Sequence, residues 1–276
     1  MNLSNLPIDR CRDLSTTNNF DDAEVYILGI PLYNMRRTDY ISPSTLMRVF
    51  SDKLEDSMDY PGIYISNLKV YDLGEISSYD YSQFEVDIAS IINKIYSTKK
   101  MAKLLFIGGD HLITYQLVKL IKPELIIVFD AHLDLKDSYM FNKFNNATVF
   151  RRVLEWYRGP ILYFGPRAFD ENEMRTLSEN DNIHLNDFEI LNRYIDVRTY
   201  ISIDIDVLDP SIIRQVTYPE PDGWRISRLI DVLEKVSKKL NVMAGDIVEY
   251  NPRRIDIAEI SSILKLTYHM SYFMSR

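Results

Sequence analysis

The chain has 276 residues, enough for one large α/β domain or two small ones and for a sizeable buried core. Hydrophobic residues make up 46% and charged residues 26%, the balance of a folded soluble protein, and a net charge of -8 supplies no positive field for nucleic acid or an anionic membrane. The one cysteine, Cys11, excludes an intrachain disulfide and fits a reducing cytosol. The N-terminal stretch MNLSNLPIDRCRD carries charges and no apolar run, and no segment approaches the ~20 apolar residues that span a bilayer. A cytoplasmic protein is therefore expected.

In chain order, strands and helices alternate. A strand is expected over 24–31 (EVYILGIP) and another over 63–73, then an amphipathic helix over 84–99. Strand 103–108 leads to helix 112–121, strand 125–131 to helix 148–157, and strand 161–165 to helix 171–179. Strands 183–185 and 200–207 follow, then helix 225–240, in which Ile226, Leu229, Ile230, Leu233 and Val236 form one stripe. Strand 242–250 and a helix over 255–273, apolar almost all round, close the chain. The strands are short, β-branched and often apolar on both faces, as in a parallel sheet covered on both sides. With no repeat, low-complexity tract or linker, residues 1–276 read as a single domain. Residues 211–224 (SIIRQVTYPEPDGW) read as a surface loop.

Four segments at strand ends carry the chemistry. Strand 103–108 runs into Gly108-Gly109-Asp110-His111, where glycine lets the backbone turn sharply. Asp130, His132 and Asp134 fall at alternate positions, which in an extended chain share one face. Asp204 and Asp206 repeat that spacing between apolar residues. Such acids repel unless a cation is shared, and an EF-hand loop is excluded because its turn glycine is absent. Asp209, before Pro210, reads as a turn cap. Glu249 ends the fourth segment, GDIVEYNP. Four aspartates and two histidines balance two divalent cations, and an oxygen-rich set with some imidazole suits Mn²⁺ better than structural zinc.

These motifs, GGDH (108–111), DAHLD (130–134), SIDIDVLDP (202–210) and DIVEYNP (246–252), resemble those of the ureohydrolase family of arginase, agmatinase, guanidinobutyrase and formimidoylglutamase. The resemblance runs from about residue 28 to the end. It implies a three-layer α/β/α fold with a mainly parallel sheet of about eight strands and a site at their carboxyl ends. It also implies two Mn²⁺ per chain, with His111 and Asp134 on one ion, His132 and Asp206 on the other, and Asp130 and Asp204 bridging. Glu249 would hold the guanidinium, Asn146 would contact substrate, and Asp134 and Glu249 would be catalytic. The implied reaction is hydrolysis of a C–N bond in a linear amidine, here agmatine to putrescine and urea, by a homo-oligomer, trimer or hexamer, acting on a small cationic guanidino substrate.

Three departures stand out. Members usually carry histidine where this chain has Asn146, and asparagine cannot take a proton near neutral pH. Arg214-Gln215-Val216-Thr217 replaces the family's Pro-Gly-Thr-Gly loop, and Leu112 follows GGDH where a small polar residue is usual. The loop after Asp134 lacks the pattern with which arginases hold an amino acid, which favours agmatine over arginine. The alternatives are arginase, guanidinobutyrase or formimidoylglutamase activity, a metal-binding relative without hydrolysis, or a purely structural protein. His184 and His269 lie outside every motif and read as ordinary surface or half-buried residues.

Overall fold

The computed structural model describes residues 8–9, 13–33, 41–58, 63–77 and 80–276; Cys11 and most of the N-terminal stretch lie outside them. The strands in chain order are β1 (Ile8–Asp9), β2 (Val25–Ile30), β3 (Val70–Ile76), β4 (Lys103–Gly108) and β5 (Leu125–Phe129). They continue with β6 (Ile161–Phe164), β7 (Ile183–Leu185), β8 (Arg198–Asp204) and β9 (Asn241–Val248). They form one sheet in the order β1-β3-β2-β4-β9-β8-β5-β6-β7. Each neighbouring pair from β3 to β7 is parallel, and β1 adds antiparallel to the β3 edge. The expected mainly parallel sheet is present.

The helices are α1 (Pro43–Phe50), α2 (Tyr81–Thr98), α3 (Ile113–Ile121), α4 (Val149–Val153), α5 (Glu171–Ser178), α6 (Ile226–Ser237) and α7 (Ile257–Ser275). Strand alternation sorts the core into two layers. Leu125, Ile127 and Phe129 of β5 pack with residues of α1, α6 and α7, whereas Ile126 and Val128 pack with α2, α3 and α4. Both faces of the sheet are thereby covered, which is why β5 reads LIIVF without a polar residue. The C-terminal helix is apolar almost all round because it packs against α1 and α6 as well as the sheet.

Local chemistry moves several boundaries from those expected. Residues 63–69 are not strand: the Asp56 carboxylate accepts from the Ser66 N–H (2.7 Å) and hydroxyl (2.8 Å), winding Ile65–Asn67 into a 3-10 turn. The helix expected over 148–157 stops at Val153, and the Arg158 guanidinium donates to the carbonyls of Leu154 (2.5 Å) and Glu155 (3.1 Å) beyond it. Helix α1 was not expected, although its start is written in the sequence. The Ser42 hydroxyl accepts from the Thr45 N–H (3.2 Å), and Pro43 takes the first helical position.

Strands β4, β9, β8 and β5 lie side by side, so their carboxyl ends form one contiguous rim. Gly109 joins that rim to β2: its N–H donates to the Ile30 carbonyl (2.8 Å), and its own carbonyl accepts from the Glu249 N–H (2.8 Å). A Cβ there would sit 2.2 Å from the Leu32 carbonyl oxygen, a backbone atom that cannot swing aside. Gly109→Ala should cost about 1–3 kcal/mol through overpacking. Urea unfolding should show a lower midpoint at unchanged slope, and an unaltered midpoint would refute this reading of the contact.

Candidate metal centre

The sequence placed Asp130, His132 and Asp134 on one face by strand alternation, and the structure corrects the reason. Strand β5 ends at Phe129, and these residues belong to a loop in which Asp134 has φ 52. Likewise β8 ends at Asp204, whose Oδ1 accepts from the Asp206 N–H (2.9 Å) and starts a 3-10 turn over Ile205–Val207. The side chains converge nonetheless, from the ends of β4, β5 and β8.

His111 is fully buried. Its Nδ1 lies 3.0 Å from Asp134 Oδ2, 3.3 Å from Asp130 Oδ2 and 3.4 Å from Asp204 Oδ2. His132, half-buried, places Nδ1 2.9 Å from Asp206 Oδ2 and 3.6 Å from Asp130 Oδ1. Two sets of side chains could therefore each hold a cation: His111, Asp130 and Asp204, and Asp130, His132 and Asp206. Asp130 belongs to both, and Asp134 touches the first set through His111.

The carboxylates are buttressed on one oxygen and aimed with the other. Asp130 Oδ1 accepts from the His132 N–H (2.6 Å), and Asp206 Oδ1 accepts from the Ala131 N–H (3.1 Å). Asp130 Oδ2 and His111 Nδ1 are buried and make no hydrogen bond among the described residues. One imidazole proton cannot offset three surrounding carboxylates, whereas two divalent cations balance the four aspartates of the combined set. The donor set fits such a group.

Sequence reasoning missed the network behind His111. Asp246 of β9 is fully buried and accepts from Ser202 Oγ (2.6 Å), Thr114 Oγ1 (2.7 Å) and the Tyr200 hydroxyl (2.5 Å). Since Ser202 spends its proton on Asp246, its oxygen accepts from His111 Nε2 at 3.0 Å. That keeps a proton on Nε2, so Nδ1, which faces the acids, is the nitrogen that would give up its proton to ligate a cation. The signal was available in SIDID and GDIVE, where Ser202 and Asp246 are polar residues inside apolar strands.

Beside the acids lies a cavity of about 320 Å³, reached by His132, Asp134, Asp204, Asp206 and Glu249. Glu249 is buried at φ 64, with Oε1 accepting from the His111 N–H (2.9 Å) and Oε2 from Asn251 Nδ2 (3.0 Å). Asn146 lines the same cavity. Arg214 is exposed and does not line it, but the altered loop supports Glu249 indirectly, because Asn251 also donates to Thr217 Oγ1 (2.6 Å). Asp209 caps its turn as expected, accepting from the N–H groups of Ser211 (2.9 Å) and Gly223 (3.0 Å). Leu112 is buried in the core. His269 is buried too, 1% exposed, which corrects its reading as a surface or half-buried residue; His184 is half-buried. No helix among the described residues is long and apolar enough to cross a membrane.

The arginase family model matches residues 23–274. The agmatinase of Pyrococcus horikoshii is 30% identical over 269 residues, which cover 92% of this chain and 93% of that one. The N(1)-aminopropylagmatine ureohydrolase of Thermococcus kodakarensis is 28% identical over 264 residues, 90% of each chain. The crystal structure of the agmatine ureohydrolase of Thermoplasma volcanium superposes with a TM-score of 0.79 at 25% identity, covering 97% of this chain and 95% of that one.

Without a cation, protons must compensate the acids. Burial lifts the carboxyls of Asp134 and Glu249, each to about 7. Burial works against charge on His132, but its bonds to Asp130 and Asp206 prevail and push it up to about 12. All three groups hold protons in the folded state that the unfolded chain releases earlier. For the two carboxyls the unfolded chain releases them above about pH 4, for the imidazole above about 6.5. Stability of the chelated protein should therefore fall as pH rises from about 5.5 to 8. Scanning calorimetry in EDTA should show a lower melting temperature at the alkaline end, and a constant or rising one would contradict this assignment of charge.

Proposed function

This chain belongs to the arginase family, and we propose that it is a hydrolase that uses two manganese ions to cleave a guanidino compound. The observation that carries this reading is the sharing of Asp130 by two ligand sets that open onto the Glu249 cavity. His111 and Asp134 would hold one ion, His132 and Asp206 the other, with Asp130 and Asp204 between them. When bound, the pair supplies Lewis acidity and generates hydroxide from water near neutral pH.

The chain's own residues supply the rest. Glu249 presents a carboxylate fixed by two donors, and a planar guanidinium offers paired N–H groups to such an acceptor. Asp134, on the cavity wall, is the acid placed to hold the proton released by water. Asn146 can orient a substrate by hydrogen bonding but cannot relay a proton. Agmatine is the substrate that the resemblance and the names of the relatives put first. A cytoplasmic trimer or hexamer is proposed on the resemblance alone.

Agmatine with added Mn²⁺ should release urea, and the same protein in EDTA should not. Absence of urea from every guanidino substrate tried would sink the reading. Asn146→His should raise kcat by about 10²-fold if the missing proton relay limits turnover; an unchanged kcat would show that it does not. Asp246→Asn should weaken Mn²⁺ binding by about 10–100-fold, because the Ser202 contact that orients His111 is loosened. Titration calorimetry measures this without turnover, and unaltered affinity would remove Asp246 from any role in the centre.

A further inference from the structure

The two histidines of the centre are supported from behind by different means. His111 Nε2 meets Ser202, which leads on to the buried Asp246. His132 Nε2 instead lies against the loop over 211–224, where Glu220 Oε1 stands 3.8 Å away. Glu220 is half-buried, and it is the one charged partner of that nitrogen among the described residues. At 3.8 Å the carboxylate is too far for a hydrogen bond but near enough for a direct charge contact.

Arg167 holds Glu220 in this place. The half-buried guanidinium follows β6 and commits all five of its N–H groups to main-chain carbonyls. Nε donates to Pro221 (2.9 Å), Nη1 to Gly165 and Val207 (3.3 Å each), and Nη2 to Asp206 (2.8 Å) and Glu220 (2.9 Å). The Arg167 N–H also donates to the Ala131 carbonyl (2.8 Å), beside His132. One residue thus joins the DAHLD loop, the turn after β8 and the Glu220 segment. It grips the main chain of Glu220 and leaves the carboxylate to His132.

We propose that Glu220 is a positioning residue for the ion held by His132 and Asp206, and that Arg167 is the clasp that keeps it there. The proposal rests on the two-manganese reading and concerns one ion of the pair. When Nδ1 of an imidazole ligates a cation, positive charge spreads to the Nε2–H edge. A carboxylate at that edge favours the bound state and fixes the ring. For His111 the supporting acid is fully buried, whereas for His132 it is open to solvent, so the second ion alone should respond to salt through this contact.

The test is titration calorimetry with Mn²⁺ and no substrate, on the metal-stripped natural protein, Glu220→Gln and Arg167→Lys. The natural protein should take up two ions. Glu220→Gln should weaken one binding step by about tenfold and leave the other within about threefold. In about 1 M KCl, where the screening length is about 3 Å, the gap between Glu220→Gln and the natural protein should narrow to about threefold or less. Arg167→Lys, with three donors for five carbonyls, should weaken the same step. If Arg167→Lys does not fold, Glu220→Gln decides alone. Two ions bound with affinities that Glu220→Gln leaves unaltered, both steps weakened equally, or a loss that salt does not reduce would each overturn the role of Glu220 and leave the proposed function standing. If the natural protein binds no Mn²⁺, the proposed function falls and the inference falls with it.

Discussion

Five carboxylates buried beside one another, Asp130, Asp134, Asp204, Asp206 and Glu249, are the constraint around which this structure is arranged. Charges of one sign at that density are tolerated only with compensation, because the interior screens them poorly and each lost hydration shell costs several kcal/mol. His111 and His132 lie against four of these acids and are held protonated by them when no cation is present. Protons are a poor substitute for a metal here, because Nδ1 of His111 faces three carboxylates and has one hydrogen to offer. A divalent ion makes several short contacts at once.

The sheet supplies the geometry that such a cluster needs. Its order places β9 and β8 between β4 and β5, so strands formed late in the chain wedge between two formed early. The connections part there, leaving a crevice at the carboxyl ends where side chains from four strand ends can meet. Behind the crevice, Asp246 satisfies three hydroxyls in a fully buried position and fixes His111 through one of them. The hydrogen-bonded network extends away from the acids into the sheet, so the imidazole is oriented by buried residues of β8, β9 and α3.

Much of this was legible in the sequence. Continuous apolar strands alternating with amphipathic helices specify a parallel sheet covered on both faces, and the structure has one. The acids were found because Asp and His at strand ends are costly in any other role. What was illegible follows from local competition. Alternation suggested a common face for Asp130, His132 and Asp134, but the strand had already ended at Phe129, and convergence comes instead from a left-handed turn at Asp134. The turn at Ile65–Asn67 depends on Asp56, a partner ten residues upstream of Ser66 that no periodicity reveals.

Backbone strain completes the account. Asp134 and Glu249 both have positive φ, at 52 and 64, where a residue with a Cβ is disfavoured by about 1–2 kcal/mol. Neither is glycine, and each places a carboxylate on the cavity wall, so the conformation is retained against its cost. The surroundings hold it. The Asp134 carbonyl accepts from the N–H groups of Phe150 (3.1 Å) and Arg151 (3.3 Å) in α4, and the Glu249 N–H donates to Gly109 (2.8 Å). Both acids are thus tied to neighbouring segments by main-chain bonds that hold whatever charge the side chains carry. Such bonds hold the two acids at the crevice independently of their protonation, so the site's shape is set by the backbone and its charge state by solution conditions.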